Sequence, residues 1–199
     1  EAAILGWFEK HWPKTLPVQV VMEGIEEDQT VTFPRGTAVD QTSWKCLLDP
    51  VDGTRCIMYD KRSAWSLAGI APQRGPRTAL NDIVVAAMTE IPPSRQVRSD
   101  QVSAWRGGKL IARAKTPGQP PRTLKPVPSQ ARDFRHGFAS FVRFFPEGRL
   151  LTSQIEETVW RELYGEAEKT PLIFDDQYIS TGGQLHELLS GHDRLVADI

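Results

Sequence analysis

An acidic corner follows a strand-like apolar run in this chain, and it limits the folds that the chain can adopt. Residues 44–48 predict a buried strand, and Pro50, whose φ is fixed, predicts a stiff turn where that strand ends. Across such a turn the carboxylates of Asp49 and Asp52 can converge on one point, with the Val51 carbonyl facing the same place. The sequence therefore predicts a strand that ends in a cluster of oxygen atoms.

Two interpretations of this corner stay open on the residues alone. Carboxylates bind hard cations such as Mg²⁺, and N–H groups at the start of a helix bind phosphate oxygens. Gly53 lets the backbone approach a ligand, and Thr54 offers an N–H group and a hydroxyl that could orient an attacking water. The first interpretation is therefore a metal-assisted phosphate site. The second is ordinary turn chemistry, with Asp52 capping the next helix.

Glu23 is a third candidate carboxylate. It ends another predicted buried strand, residues 18–22, and it would lie beside Asp49 if the two strands are neighbours. Three carboxylates gathered at one point would be costly without a metal ion. We therefore expect Glu23 to belong to the site, whereas we interpret the acidic residues 26–28 as a solvated loop.

Composition excludes several classes of protein. The chain has 199 residues, enough for a substantial core, and its net charge of −1 provides no basic field for nucleic acid. Its apolar runs are too short to span a membrane, and no secretion signal opens it. We interpret Cys46 and Cys56 as small buried residues in a reducing compartment. We expect a cytoplasmic protein with neither nucleic acid nor membrane as a partner.

The patterns divide the chain into three segments. We predict an N-terminal α+β half with an antiparallel sheet at residues 1–115, a proline-rich connector at 116–130, and an incomplete C-terminal α/β half at 131–199. Predicted helices cover residues 2–11, 55–59, 152–164 and 184–190. Predicted strands cover residues 18–22, 30–33, 44–48, 64–71, 82–89, 101–106, 109–114 and 138–145, with a last strand from 194. We expect the sequence to be truncated at both ends and all six tryptophans to pack in the core.

The acidic corner resembles a family motif. Residues 48–54 resemble the Asp-Pro-(Ile/Val/Leu)-Asp-Gly-Thr motif of the inositol monophosphatase family, within the lithium-sensitive, magnesium-dependent phosphatases that include fructose-1,6-bisphosphatase. Residues 66–71 are similar to the Ser-Ile-Ala strand of that family, Gly107 and Gly108 to its glycine hairpin, and residues 183–193 to a shortened form of its Gly-Ser-Ala-Ala-Leu-Asp helix. The resemblance implies a layered α-β-α-β-α sandwich of the sugar-phosphatase type and a homodimer.

The resemblance also implies roles for individual residues. Asp49 would bridge two Mg²⁺ ions out of two or three, Asp52 would hold the second, and the Val51 carbonyl would ligate the first. Glu23 would bind metal and help to hold the nucleophilic water, which Thr54 would orient. The N–H groups of Gly53 and Thr54 would hold phosphate. The implied reaction is attack of metal-activated water on the phosphate monoester of a small metabolite, an inositol phosphate or a sugar phosphate.

The sequence departs from the family pattern at three places. The family has a later Trp-Asp pair whose aspartate completes the metal site; the 199 residues contain no such pair, and we expect it beyond Ile199. Arg55, Lys61 and Arg62 follow the motif and are interpreted either as surface charges or as contacts for an anionic substrate. Residues 181–186 replace the segment that contacts inositol, which leaves the substrate open.

Two alternatives to a phosphatase remain at this stage. One is a catalytically inactive relative that binds a sugar phosphate or a partner protein. The other is a structural domain in which the acidic corner only caps a helix.

Overall fold

The computed structural model describes residues 1–25, 30–166 and 171–199, and it divides into two compact units. The first unit is Glu1–Leu124 and the second is Lys125–Ile199, so the division falls inside the predicted connector at residues 116–130. The acidic residues 26–28, predicted to form a solvated loop, lie outside the described residues. No helix in the described part of the chain is both long enough and apolar enough to cross a bilayer.

The first unit is built on one large mixed sheet. Its helices are α1 (Ala2–His11) and α2 (Thr54–Met58). Its strands are β1 (Val18–Met22), β2 (Val31–Phe33), β3 (Trp44–Asp52), β4 (Ala64–Pro72), β5 (Val85–Ile91), β6 (Ser99–Trp105), β7 (Ile111–Lys115) and β8 (Arg122–Leu124). The strand order is β2-β1-β3-β4-β5-β6-β7-β8. The sheet is antiparallel, as predicted, except for one parallel pair, β1 with β3.

The parallel pair decides where the acidic residues meet. β1 and β3 run in register from Val18 beside Trp44 to Met22 beside Leu48. Because parallel strands end at the same edge of a sheet, the residue after β1 emerges next to the second half of β3. The Glu23 N–H group continues the ladder and donates to the Leu48 carbonyl over 3.0 Å. The condition on which Glu23 was predicted to lie beside Asp49 is therefore met.

The core of this edge forms between α1 and the first strands. The Phe8 ring from α1 stacks on Trp12 and on Phe33, with ring centroids 5.1 and 5.3 Å apart. The buried residues beneath them are Val18, Val20, Met22, Val31, Cys46 and Leu48. Burial of each large apolar side chain is worth about 1.5–3 kcal/mol, so this cluster anchors β1 against β3.

Two of the six tryptophans are not in the core, which corrects the sequence prediction. Trp7 is 54% exposed and Trp105 is 50% exposed. Trp7 lies on the outer side of α1, with its ring 5.4 Å from that of His11. Trp105 ends β6, and its indole covers Gly108 in the following turn so closely that a Cβ there would overlap it. Helix periodicity and strand alternation allowed a buried position for each, but within the described part of the chain about half of each side chain stays uncovered.

The second unit contains a parallel strand pair and two helices. β9 (Phe138–Phe141) pairs with β10 (Asp193–Ala197), and α3 (Arg149–Tyr164) and α4 (Thr181–Ser190) lie between them in sequence. Ala139 and Phe141 of β9 pack with Trp160 of α3. The order of elements is strand, helix, helix, strand, so the predicted alternation of strand and helix is interrupted by two consecutive helices.

Several boundaries differ from the prediction for local reasons. β5 begins at Val85 rather than at residue 82, because the Asp82 carboxylate accepts the Ala79 N–H group over 3.0 Å and holds a short 3₁₀ turn. β9 ends at Phe141, before a turn in which Arg149 donates to the Phe145 carbonyl over 2.7 Å. α4 includes both of its glycines, since the Ser180 hydroxyl caps the helix by accepting the Gly183 N–H group over 3.0 Å.

Candidate metal and phosphate site

The acidic corner is a bulge in a paired strand, not a turn after its end. Asp49 lies opposite Leu67 of β4, whereas Asp52 lies opposite Trp65, so β3 gains one residue between the two aspartates. Such a bulge leaves one residue unpaired and bends the strand. Pro50 has no N–H group to donate and is tolerated there. The prediction that β3 ends at Leu48 is therefore wrong, because β4 keeps the strand paired as far as Asp52.

The turn itself is made at Gly53. This residue has φ 85°, a left-handed conformation that side-chain-bearing residues rarely adopt, and it is the N-cap of α2. Its carbonyl accepts the Cys56 N–H group over 2.8 Å, which starts the helix at Thr54. The cap position that the turn interpretation gave to Asp52 is therefore held by Gly53.

Hydrogen bonds inside the bulge fix its oxygen atoms. The Val51 N–H group donates to Asp49 Oδ1 over 3.0 Å. The Thr54 hydroxyl donates to the Val51 carbonyl over 2.8 Å. The bulge, the glycine turn and the first turn of α2 thus form one hydrogen-bonded structure.

Glu23 and Asp49 are brought together as a hydrogen-bonded pair of carboxyl groups. Burial, the hydrogen bond that the protonated Asp49 donates to Glu23 and the negative charges of Glu23 and Asp52 together raise the pKa of Asp49 to about 6, against the opposing Val51 N–H group. Two carboxyl groups in such contact must share a proton or a cation. Glu23 is exposed and the two aspartates are half-buried, so a ligand can reach them.

The donor set suits a hard cation, although it is not a closed cage. Carboxylate and carbonyl oxygens are the ligands that Mg²⁺ prefers, and Mg²⁺ usually keeps several of its waters. No group of three His, Cys, Asp or Glu side chains in residues 1–25, 30–166 and 171–199 is already gathered tightly enough to hold a metal ion. The paired carboxyl groups of Glu23 and Asp49, with Asp52 within electrostatic reach, are what the fold assembles.

A polar network beside the corner was missed by the sequence reasoning. Glu90 lies opposite Trp65, which in turn lies opposite Asp52. Its carboxylate accepts the Ser63 hydroxyl over 2.6 Å and the Asp100 N–H group over 2.9 Å. The available signal was an acidic residue near the end of an apolar strand, which is the pattern that identified Glu23.

The basic residues after the motif lie on the surface. Arg55, Lys61 and Arg62 are all exposed. The two cysteines that bracket the corner, Cys46 and Cys56, are buried as predicted, and burial raises the pKa of Cys46 to about 12.

Comparison with known proteins identifies the fold. No protein-family model matches the sequence, and no curated protein matches it. A fructose-1,6-bisphosphatase from Leishmania major in the T-state matches with a TM-score of 0.56 and 16% identity, over 87% of this chain and 53% of that one. The extragenic suppressor protein SuhB from Bartonella henselae matches with a TM-score of 0.55 and 15% identity, over 96% and 58%. SuhB from Mycobacterium tuberculosis matches with a TM-score of 0.54 and 12% identity, over 100% and 62%.

These matches confirm the predicted sugar-phosphatase fold and the structural side of the family resemblance. At sequence identities of 16% and below, these matches establish the fold alone. The chain spans 53–62% of the length of these structures.

Proposed function

We propose that the protein is a Mg²⁺-dependent phosphatase that hydrolyses the phosphate monoester of a small metabolite, an inositol phosphate or a sugar phosphate. The observation that carries the proposal is the hydrogen-bonded pair of Glu23 and Asp49 at the point where the parallel pairing of β1 with β3 ends. Negative oxygens held this close favour a divalent cation as their common partner. The phosphatase fold supports the same class of reaction.

The metal-binding residues in this proposal are Glu23, Asp49 and Asp52 through their carboxylates and Val51 through its carbonyl, for two or three ions. Bound Mg²⁺ supplies positive charge and Lewis acidity to the phosphate ester. Asp49 must lose its shared proton before it can act as a ligand, because the proton and the cation compete for the same oxygens.

Thr54 is suited to orient the attacking water. The hydrogen of its hydroxyl is committed to the Val51 carbonyl over 2.8 Å. The oxygen therefore keeps lone pairs that can accept a hydrogen bond from water. This turns a lone pair of the water toward the phosphorus, which is the orienting role of a general-base-assisted attack.

Gly53 and Thr54 are proposed to hold the phosphate through their N–H groups. The first N–H groups of a helix have no acceptor inside the helix, so they are available to oxygen atoms of a ligand. Gly53 brings this part of the backbone into the left-handed conformation without a side chain in the way.

The test is phosphate release from myo-inositol phosphate and from fructose 1,6-bisphosphate, with and without Mg²⁺ and Li⁺. We expect Asp49→Asn to lower kcat/KM on the order of 100-fold or more, a loss typical of removing one charge-stabilising group from an active site. Asp40→Asn is the matched control, since Asp40 is exposed on a short 3₁₀ helix away from the corner. Wild-type activity in Asp49→Asn would contradict the mechanism. A wild-type protein that binds the substrates without hydrolysing them would identify an inactive relative.

The proposal includes a cytoplasmic location and a homodimer. Cys46 and Cys56 are both buried, which suits small apolar residues in a reducing compartment. Light scattering coupled to size exclusion measures the oligomeric state.

A further inference from the structure

The helix that carries Thr54 ends in an unusual way. Asp60 has φ 50°, in the left-handed region that residues with a side chain avoid. Its N–H group donates to the Ile57 carbonyl over 3.1 Å, and the Lys61 N–H group donates back to the Cys56 carbonyl over 2.9 Å. This pair of bonds is the common way to end a helix, but the left-handed position is usually glycine. Something beyond the helix must therefore favour aspartate here.

That requirement is met by the loop between β5 and β6. The Ser94 N–H group donates to Asp60 Oδ1 and the Ser94 hydroxyl to Asp60 Oδ2, both over 2.6 Å. Arg95 donates to the backbone carbonyls of Asp60 and Lys61, each over 3.1 Å. The Ser94 hydrogen bonds hold the pKa of Asp60 below its ordinary value, so the carboxylate stays charged. Four hydrogen bonds thus attach the end of α2 to a separate loop.

α2 is too short to hold its own position. It has five residues, Thr54–Met58, and only Cys56 of these is buried. Isolated helices of this length do not persist in water, because nucleation costs more than the few hydrogen bonds return. Gly53 is the N-cap of α2 and Thr54 is its first residue, whereas Asp60 lies two residues after its last residue, Met58. A shift at Asp60 is therefore transmitted through little more than one helical turn to the candidate phosphate-binding N–H groups.

We propose that Asp60 is a positioning residue, which through Ser94 and Arg95 fixes α2 so that Thr54 and Gly53 face the substrate phosphate. This inference rests on the proposed function. It makes the β5–β6 loop part of the site's support, although that loop supplies no ligand of its own.

The competing explanation is that Asp60 only stabilises the end of the helix. The variant Asp60→Gly distinguishes this stabilising role from the positioning role. Glycine adopts the left-handed conformation freely, so this variant keeps the backbone and loses the carboxylate's hydrogen bonds to Ser94 and its attraction to Arg95. Ser94→Ala removes one of those contacts from the other side. Asp60→Asn keeps one acceptor oxygen and tolerates the conformation, so it should rescue in part.

We expect Asp60→Gly to unfold near the wild-type midpoint, because glycine adopts the left-handed conformation without strain, and Ser94→Ala to unfold slightly below it. In both variants kcat for phosphate release should fall about tenfold, because the reacting groups are misplaced. The Mg²⁺ concentration for half-maximal rate should not change, since the carboxylates lie outside α2. The double variant should be no worse than Asp60→Gly alone, because Asp60→Gly already removes the contact that Ser94→Ala removes. Asp82→Gly is the matched control: Asp82 also accepts a backbone N–H group and an arginine, but at the opposite edge of the sheet, and its loss should leave kcat unchanged.

Wild-type kcat in Asp60→Gly would overturn the inference, as would a loss of kcat that only follows a loss of stability. If the wild-type protein releases no phosphate, the proposed function fails by itself, and amide hydrogen exchange decides the positioning role separately. Exchange across residues 53–58 should be faster in Asp60→Gly and Ser94→Ala than in the wild type. Unchanged exchange there would overturn the inference whatever the activity.

Discussion

Glu23 directly follows β1 and Asp49 lies in β3, and their carboxyl groups hydrogen-bond to each other. The contact exists because β1 and β3 run parallel in register and the Glu23 N–H group continues the ladder onto Leu48. At neutral pH and without a cation, the fold holds these two carboxyl groups together against the repulsion between their negative charges. The energetic consequences of this pair can be measured without knowing the substrate.

The metal-free protein should lose stability as the pH rises through the pKa of Asp49. This pKa is raised from 3.8 to about 6, so the native state keeps a proton that the unfolded chain has already released. The corresponding stability is fully present below pH 4 and is lost as the pH passes about 6. Glu23→Gln removes the facing charge and should be more stable than the wild type at pH 8 in EDTA. We expect roughly 1 kcal/mol, not the ~3 kcal/mol of a fully buried pair, because water screens half-exposed carboxylates.

Urea denaturation of both proteins in EDTA at pH 5 and pH 8 provides this measurement. The difference between the two proteins should grow with pH, which separates the pair from other titrating groups. Equal stability at pH 8 would show that the carboxylates do not oppose each other.

Mg²⁺ should stabilise the wild-type protein and leave Asp49→Asn nearly unaffected. A ligand at 100 times its Kd adds about 2.7 kcal/mol to the free energy of unfolding, provided that it binds the native state alone. The unfolding midpoint in a Mg²⁺ titration measures this, and Asp40→Asn should shift as the wild type does. An equal shift in Asp49→Asn would place the ion elsewhere, and no shift in any of the proteins at millimolar Mg²⁺ would favour a structural role for the corner.

Gly53→Ala should impair both stability and phosphate release. Its φ of 85° costs a side-chain-bearing residue roughly 1–2 kcal/mol. Gly36→Ala is the matched control, because Gly36 has φ 77° and open space around the position of a Cβ. The two variants should lose similar stability in a denaturant titration, but only Gly53→Ala should lose activity at saturating Mg²⁺. Equal activity in the two would exclude Gly53 from the phosphate site.

Trp65 should be one of the most sensitive core positions. It is 2% exposed and lies opposite both Asp52 and Glu90 on the neighbouring strands. Trp65→Ala should cost about 3–5 kcal/mol, whereas Trp105→Ala, at a position 50% exposed, should cost far less. Chemical denaturation of both variants measures the difference. A small effect at Trp65 would mean that the bulge does not depend on the packing beneath it.

Local patterns were sufficient to predict most elements from the sequence. α1 and β1 were placed with the observed bounds, because proline ends the first and a β-branched run defines the second. The hairpin between β6 and β7 followed from its two central glycines. The pairing of β1 with β3 could be stated only as a condition, since nothing in either strand specifies a parallel neighbour.

The bulge shows where local reasoning fails. Pro50 and two aspartates favour a turn, and no nearby residue contradicts that interpretation. The decisive interaction is the continued pairing with β4, which is set by residues further along the chain. The prediction that Trp105 is buried was wrong for a related reason. Alternation along a strand does not tell which face of the sheet is covered by another element.

The parallel strand pair also has a consequence for the order in which the protein folds. β3, α2 and β4 are consecutive, so Asp49 and Asp52 can reach their places by closing a short stretch of chain. Glu23 arrives only when β1 pairs with β3, and because the chain between these strands includes β2, a longer loop must close before that contact forms. A chain that emerges or refolds step by step would therefore acquire its aspartates early and its glutamate late.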